Sequence, residues 1–414
     1  MEEIDVPPFF VCPISLELMK DPVTVSTGIT YDRESIEKWV FAGKNDTCPV
    51  TKQSLILPDL TPNHTLRRLI QAWCTVNASH GVQRIPTPKA PVDKAIIEKL
   101  LKDASDSPSL QLRSLRTLKS IVSVNQSNKR CVESAGAVDF LASLIITNTN
   151  ATSCVVDDVD LELKTNVSDE ALSLLHAIHL SESGFKALLT HSEFVNSLTK
   201  IMQRGIYESR AYAVFLLKSM TELADPVQLI NLKLELFTEL VQLLKDQISE
   251  KASRATLQTL IQVCRWGRNR IKAVEAGAVA VIVELLLDCK ERKACEMMLI
   301  LLEILSQSAD GRAALLAHAA GVAVVAKKIL RVSTVANDRA AKILLSVCRF
   351  SATAAVVQEM VELGVVAKLC LVLQVDSGER AKEKAREILK LHARVWRNST
   401  CVPRNLLASY PINV

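Results

Sequence analysis

Breakers of regular structure are scarce and unevenly placed in this 414-residue chain. Glycine occurs 12 times, and of the 14 prolines ten lie in the first 91 residues, so that between 109 and 402 only Pro226 interrupts the sequence. Long, leucine-rich sequence with so few breakers is helical sequence. The proline-rich start must therefore be a different kind of structure. Paired cysteines are also missing: none of the 11 stands in a Cys-x-x-Cys pair. An odd count in a chain too long to need staples fits reduced thiols of the cytosol or nucleus. The acidic start Met1-Glu2-Glu3-Ile4-Asp5 lacks the basic residues of a leader. The most apolar runs, 276–287 and 313–326, contain Glu284 and His318, and both fall short of the ~20 residues that span a bilayer. A soluble protein without a transmembrane segment is expected. The net charge of +5 divides into −3 over residues 1–80 and +8 over the rest. Neither part has the charge density of a nucleic-acid binder, so no nucleic-acid partner is expected.

The length suggests two or three domains. Residues 5–76 read as a compact α+β unit. Val23–Ser26 and Ile29–Tyr31 flank a turn at Gly28, Asp32 is placed to cap a helix through Ile36, Trp39 and Val40 that ends at Gly43, and a second helix is expected from Pro62 with Thr61 as its cap. Residues 77–92 hold Gly81, Pro86, Pro88 and Pro91 and form a linker. Residues 93–402 are repetitive. An alanine opening an apolar helix recurs at Ala171, Ala211, Ala255, Ala294, Ala340 and Ala381, with steps of 40, 44, 39, 46 and 41. A glycine before a short apolar helix recurs at Gly136, Gly277, Gly321 and Gly364, the last three 44 and 43 apart.

A helical repeat near 42 residues cannot bury its apolar face alone, so a stacked α-solenoid is expected. The wider spacing from Gly136 to Ala171 marks an insertion near 147–167, rich in Thr, Asn and Asp and expected as an exposed loop. The array resembles armadillo repeats. Pro226 is expected to mark a repeat boundary, Leu389, Val395 and Trp396 to close the end of the array, and 403–414 to form a tail.

The first unit carries Cys12-Pro13-Ile14-Ser15-Leu16-Glu17-Leu18-Met19, then Gly28-Ile29-Thr30-Tyr31-Asp32-Arg33, Ile36-Glu37-Lys38-Trp39 and Cys48-Pro49-Val50-Thr51. This order resembles the U-box, the zinc-free relative of the RING finger in ubiquitin ligases. Zinc needs four thiolate or imidazole ligands in closely spaced pairs, but Ser15 and Thr51 stand where a second cysteine of each pair would be. No metal or other cofactor is expected. The resemblance implies that hydrogen bonds and ion pairs among Ser15, Thr51, Glu17 and Asp32 hold the loops, with Cys12 and Cys48 as structural residues. Cys12 lies in an apolar run and is expected to be a packing residue, so no catalytic nucleophile or covalent enzyme intermediate is assigned.

The resemblance further implies that Ile14, Leu16, Trp39, Pro49 and Lys52 contact a ubiquitin-charged conjugating enzyme. Ile14 and Pro49 are expected to be the better exposed. A small-domain core is the alternative role for all four apolar residues. Many U-boxes carry arginine where Lys52 stands; lysine keeps the charge but loses the planar fork of donors.

Arg210, Arg254, Arg292, Arg339 and Arg380 recur near one phase of the repeat. They suggest either a basic ladder for an acidic substrate or a solvated face with local ion pairs, the second being the simpler. His176, His179 and His318 lack partners at metal-ligand spacing and read as ordinary core or surface residues. The order U-box, linker and repeats resembles the plant U-box armadillo ubiquitin ligases. It implies a RING-type E3 ubiquitin transferase (EC 2.3.2.27) of the stress- and immunity-associated branch, with a substrate on the repeats. The location implied is cytoplasmic, with the nucleus as an alternative, and a homodimer through the U-box is allowed. A non-enzymatic armadillo adaptor or transport scaffold is the alternative. Only Trp266 and Trp396 follow residue 80, so the tryptophan ladder of transport receptors is absent.

Overall fold

The computed structural model describes residues 6–42, 45–55, 60–78, 92–151 and 158–396, with the backbone alone for 41, 42, 151 and 158–166. The expected linker lies mostly, and the tail wholly, outside the described residues. The chain divides into two compact units: residues 1–100 with 118–135, and residues 101–117 with 136–414.

In the first unit, β1 (Pro22–Thr24) pairs antiparallel with β2 (Thr30–Asp32) and with β3 (Thr61–Pro62), giving the order β2-β1-β3. Val23 faces Tyr31 on one side and Pro62 on the other. Gly28 takes φ +81° in the connecting turn, a region that suits glycine. α1 (Arg33–Glu37) continues into a π-helical turn, Lys38–Ala42, and α2 (His64–Val76) packs on β1. Cys12, Met19, Val23, Tyr31, Ile36, Cys48, Ile70 and Cys74 are among its buried core residues.

Two expected caps differ. Asp32 stands before α1 but makes no cap bond; its Oδ1 instead accepts the amides of Lys20 and Asp21 at 2.8 and 2.9 Å. The cap of α2 is Asn63, accepting from the Leu66 amide at 3.0 Å, because Thr61 and Pro62 are drawn into the sheet. α3 (Lys94–Asp106) and α4 (Pro108–Val122) follow, and the first unit takes in residues 118–135. In α5 (Gln126–Ser134), Asn128 accepts from the Val92 amide at 3.1 Å and donates to the Ile121 carbonyl at 2.9 Å.

The second unit is built from helices. α6 (Ala137–Ala151) packs on α7 (Asp158–Ile178). Among the described residues, five three-helix repeats follow. The first has α8 (Glu182–Thr190), α9 (Phe194–Arg204) and α10 (Tyr207–Leu223); the second has α11 (Pro226–Ile230), α12 (Leu234–Asp246) and α13 (Glu250–Val263). The third has α14 (Gly267–Glu275), α15 (Ala278–Asp288) and α16 (Arg292–Leu305). The fourth has α17 (Ala309–Ala317), α18 (Gly321–Lys328) and α19 (Thr334–Phe350), and the fifth α20 (Ala354–Glu362), α21 (Val365–Gln374) and α22 (Glu379–Leu391). The third helices α7, α10, α13, α16, α19 and α22 pack each against the next. The recurrent alanines all lie on them, four of the six buried. Pro226 opens α11, where Asp225 and Gln228 form a reciprocal capping box.

The recurrent glycines serve two purposes. Gly136, Gly277 and Gly364 have φ of +82, +83 and +70°, turning the chain between first and second helices. Gly321 has no positive φ; a Cβ there would lie 1.9 Å from the Leu315 carbonyl oxygen, so close packing fixes it.

Two further expectations are corrected. The inserted loop near 147–167 is mostly helix, since α6 runs to Ala151 and α7 starts at Asp158, while 152–157 lie outside the described residues. Polar residues are tolerated there because Thr147 and Thr149 donate to the carbonyls of Ser143 and Ile145, and the Thr149 hydroxyl also pairs with that of Ser197 at 2.9 Å. At the other end, Leu389 and Trp396 are buried but Val395 is 53% exposed, because α23 (Ala393–Trp396) starts a new helix that turns its tryptophan inward.

Candidate functional site: two matched loops of the first unit

The sequence Cys-Pro-x-Ser/Thr occurs twice, 36 residues apart, and folds the same way both times. Val11 bridges to Leu18 and Thr47 to Ser54. The Cys12 amide donates to the Glu17 carbonyl at 2.8 Å and that of Cys48 to Gln53 at 2.7 Å, while Leu16 and Lys52 donate back to Cys12 and Cys48, both at 2.9 Å. Ser15 Oγ accepts the Glu17 amide at 3.4 Å, and Thr51 Oγ1 that of Gln53 at 3.5 Å. Leu16 and Lys52 occupy the matched positions with φ of 57 and 61°. Both are side-chain-bearing residues in left-handed backbone, which costs on the order of 1–2 kcal/mol and persists only where the surroundings enforce it.

The sulfur atoms form the centres of the loops. Cys12 Sγ accepts the Asp32 amide at 3.3 Å. Cys48 Sγ lies 3.4 Å from Thr27 Oγ1, 3.0 Å from the Tyr31 hydroxyl and 3.5 Å from the Thr51 amide. The same Tyr31 hydroxyl accepts the Val50 amide at 3.3 Å, which leaves its own proton for Cys48. Burial raises the Cys48 pKa, but the donors Thr27, Thr51 and Tyr31 outweigh it and bring the thiol from 9.0 to about 6. Burial likewise acts on Cys12 against the donors at Ser15, Asp32 and Ile14, with a net lowering. Both thiols are fully buried. A low pKa inside a closed ring of donors makes a structural thiolate; a nucleophile needs access as well. Glu17, expected among the loop-holding groups, is exposed and contributes only its backbone. No group of three or more potential metal-ligating side chains is found among the described residues.

On the outside of the loops, Leu16 is 77% and Val50 52% exposed, Lys52 is exposed, and Ile14 and Pro49 are half-buried. The expected order is therefore reversed: Leu16 projects from its left-handed tip, while Ile14 packs partly against the core. Trp39 is half-buried and its indole N–H donates to the Thr47 carbonyl at 2.9 Å, so it supports the second loop from behind. Val50 was not singled out from sequence. The signal was present, since Val50 occupies in the second Cys-Pro-x-Ser/Thr the place of Ile14 in the first.

A family model for the U-box domain matches residues 6–79, and one for the plant U-box protein armadillo repeat region matches 96–412. The chain belongs to the plant U-box armadillo-repeat proteins. It is 56% identical to the E3 ubiquitin-protein ligase PUB23 of Arabidopsis thaliana, across 99% of this chain and 98% of that one. Identity to the E3 ubiquitin-protein ligase PUB22 of the same plant is 55%, across 99% of each. A solved chain from work on cadherin and beta-catenin shares the fold, with a TM-score of 0.58 at 14% identity over 80% of this chain and 58% of that one. This plant U-box protein is an E3 ubiquitin ligase; its U-box works with a conjugating enzyme and its armadillo repeats bind substrate. The passive-adaptor alternative is thereby set aside.

In the repeats, four of the five recurrent arginines face carboxylates. Arg210 meets Asp246 at 2.6 Å, Arg254 meets Glu291 at 3.0 Å, Arg292 meets Glu296 at 3.1 Å, and Arg339 meets Glu303 at 2.5 Å. Arg380 is exposed and makes no ion pair among the described residues. Three of these pairs tie a third helix to a helix or turn one step along the array. His318 accepts the Ala320 amide at 3.2 Å, and His176 of α7 and His179 just after it belong to a ring cluster with Tyr212 of α10.

Proposed function

We propose that Leu16, Val50, Ile14 and Pro49 form the surface that receives the conjugating enzyme, with Lys52 at its edge and Trp39 behind it. The observation that carries this is the pairing of the loops: two matched turns, each rigidified around a buried sulfur, leave their apolar residues facing water. Such residues in a domain this small are better explained by a partner than by the core. The ring of donors around each sulfur fixes loop positions that zinc would otherwise set. Catalysis is then positional. The enzyme-bound thioester is held in a reactive pose and the ubiquitin carbonyl passes directly to a substrate lysine, without a covalent intermediate on this chain. Burial of Cys12 and Cys48 supports that reading.

Leu16→Ala, Ile14→Ala and Pro49→Ala should each slow discharge of ubiquitin from a charged conjugating enzyme onto free lysine by about tenfold or more. Discharge insensitive to all three would remove this surface. Lys52→Arg should raise discharge with some conjugating enzymes and leave others unchanged, since only the planar fork is gained. A role in plant defence or abiotic-stress signalling, a cytoplasmic or nuclear location, the absence of a nucleic-acid partner, and a U-box homodimer belong to the same proposal. The role rests on the motif resemblance noted in the sequence, the location on the cysteine usage, and the absence of a nucleic-acid partner on the mild charge.

A further inference from the structure

The cysteines of the described residues are free thiols, and most are sealed in the core. Cys289 and Cys295 differ, because they meet across the turn that joins α15 to α16. Cys289 ends α15 and Cys295 stands early in α16. Cys295 Sγ donates to the Cys289 carbonyl at 3.3 Å, and Cys289 Sγ donates to the Glu291 carbonyl at 3.5 Å. The two thiols also lie within hydrogen-bonding reach of each other. Since the Cys295 sulfur already touches the Cys289 backbone, closing to the ~2.0 Å of a disulfide is a matter of side-chain rotation.

Access to the two sulfurs is graded. Cys289 is half-buried, whereas Cys295 is 1% exposed. A small oxidant therefore meets Cys289 first, with Cys295 behind it as the resolving thiol. Burial and the neighbouring Cys295 push the Cys289 thiol up to about 11, against the Glu291 backbone and the charge of Lys328. The reduced form then gains nothing from ionisation near neutral pH, the gain that makes low-pKa pairs strong oxidants, so nothing of that kind opposes closure. The same scarcity of thiolate makes closure slow.

The turn is also a junction of three repeats. Glu291 meets Arg254 of α13 at 3.0 Å, and the Cys289 carbonyl accepts from Lys328 of α18 at 2.8 Å. A covalent staple here would fix the segment on which both neighbours pull.

We propose that Cys289 and Cys295 form a reversible dithiol–disulfide couple, closed by a low-molecular-weight disulfide such as oxidised glutathione. The Cys289 sulfur attacks one sulfur of oxidised glutathione, releasing one glutathione thiol and leaving a mixed disulfide. The Cys295 sulfur then attacks the Cys289 sulfur and releases the second glutathione. Two protein thiols are oxidised, one glutathione disulfide is reduced to two thiols, and the two protons pass from the protein sulfurs to the released glutathione. Cys131 supplies an internal comparison: it is half-buried, but its thiol donates to the Val92 carbonyl at 3.6 Å. It should go no further than the mixed disulfide.

The test equilibrates the full-length protein in glutathione buffers from reducing to oxidising, blocks the remaining thiols, and maps disulfides by mass spectrometry of the digest. A peptide pair linked through Cys289 and Cys295 should accumulate while the protein is folded and vanish with excess dithiothreitol. Amide exchange over residues 289–295 should slow by about tenfold or more in the closed form. In Cys295→Ser, Cys289 should stop at the glutathione adduct; in Cys289→Ser, Cys295 should stay reduced. Thermal melting reports the fold of both variants, and Cys295→Ala replaces Cys295→Ser if the buried hydroxyl unfolds the repeat. A lasting glutathione adduct on Cys289 with Cys295 present overturns the proposal. So does linkage of either cysteine to a different partner, a linked pair that forms only above the melting temperature, or full reduction of both across the whole buffer series.

Discussion

The U-box and the repeat array solve the problem of holding a surface in place by opposite means. In the U-box, two loops are held by individual polar contacts, among them the Tyr31 hydroxyl, Cys48 Sγ, Asp32 Oδ1 and the Trp39 indole. No neighbouring copy of the motif can take over a lost contact. The array repeats one apolar interface, and each lost contact has equivalents about 40 residues away. Repeat stability is close to a sum of local terms and nearest-neighbour terms, so a lesion in the array should stay local, while one in the U-box should reach the enzyme-binding face. Size works in the same direction, because a small core leaves less surplus stability than a long one.

The largest expected effect tests the array. Trp396 is fully buried, its indole N–H donates to the Val357 carbonyl at 3.1 Å, and its ring lies 5.0 Å from His392. Trp396→Ala should destabilise the last repeat by about 3–5 kcal/mol. Hydrogen exchange should show α20 to α22 opening while α10 to α16 keep their protection, and discharge of ubiquitin onto free lysine should be unchanged. Loss of protection throughout the array would show that its repeats are more tightly coupled than their packing implies.

A smaller energetic change should have a larger functional consequence in the U-box. Tyr31→Phe removes one hydroxyl, leaving the buried Cys48 sulfur short of a donor and the Val50 amide without its acceptor. The expected cost is about 1–3 kcal/mol, with slower discharge because the second loop carries Pro49 and Val50. The thiol adds a pH signature. Its folded pKa of about 6 lies below the ordinary 9.0, so its contribution is fully present above pH 9 and is lost as the pH falls toward 6. U-box stability should therefore rise from pH 6 to pH 9, and Tyr31→Phe and Cys48→Ser should both flatten that rise. An unchanged slope in Cys48→Ser would assign the effect to another group.

The two regions also differed in how far the sequence could be read. The repeat period, the helical content and the boundary at Pro226 were legible because they rest on spacing, which survives without knowledge of contacts. The helices around 147–167 were not, since a Thr- and Asn-rich segment looks like a loop until Thr149 is seen to donate within its helix and to pair with the Ser197 hydroxyl. The U-box loops were legible as a motif, but their exposure pattern was not. Leu16 projects because of its left-handed backbone, and nothing in the residue type signals that conformation. Thr61 and Pro62 looked like a helix start because Pro suits that position, yet pairing with Val23 and Thr24 takes them into the sheet.

The smallest effect separates the two possible roles of the recurrent arginines. Arg254 and Glu291 meet at 3.0 Å with nearly half of each side chain in water, where such a pair contributes about 0.2–1 kcal/mol or less and is screened by salt. Arg254→Ala should therefore shift the melting of the array by little, in contrast to Trp396→Ala. If Arg254 serves only its neighbour, substrate ubiquitination should be as unaffected as stability. If instead the guanidinium leaves Glu291 for an acidic segment, substrate ubiquitination should fall while melting stays the same, and Glu291→Gln should strengthen capture by freeing the cation. Opposite signs for Arg254→Ala and Glu291→Gln would thus identify this pair as a place where the array's own stitching is exchanged for substrate.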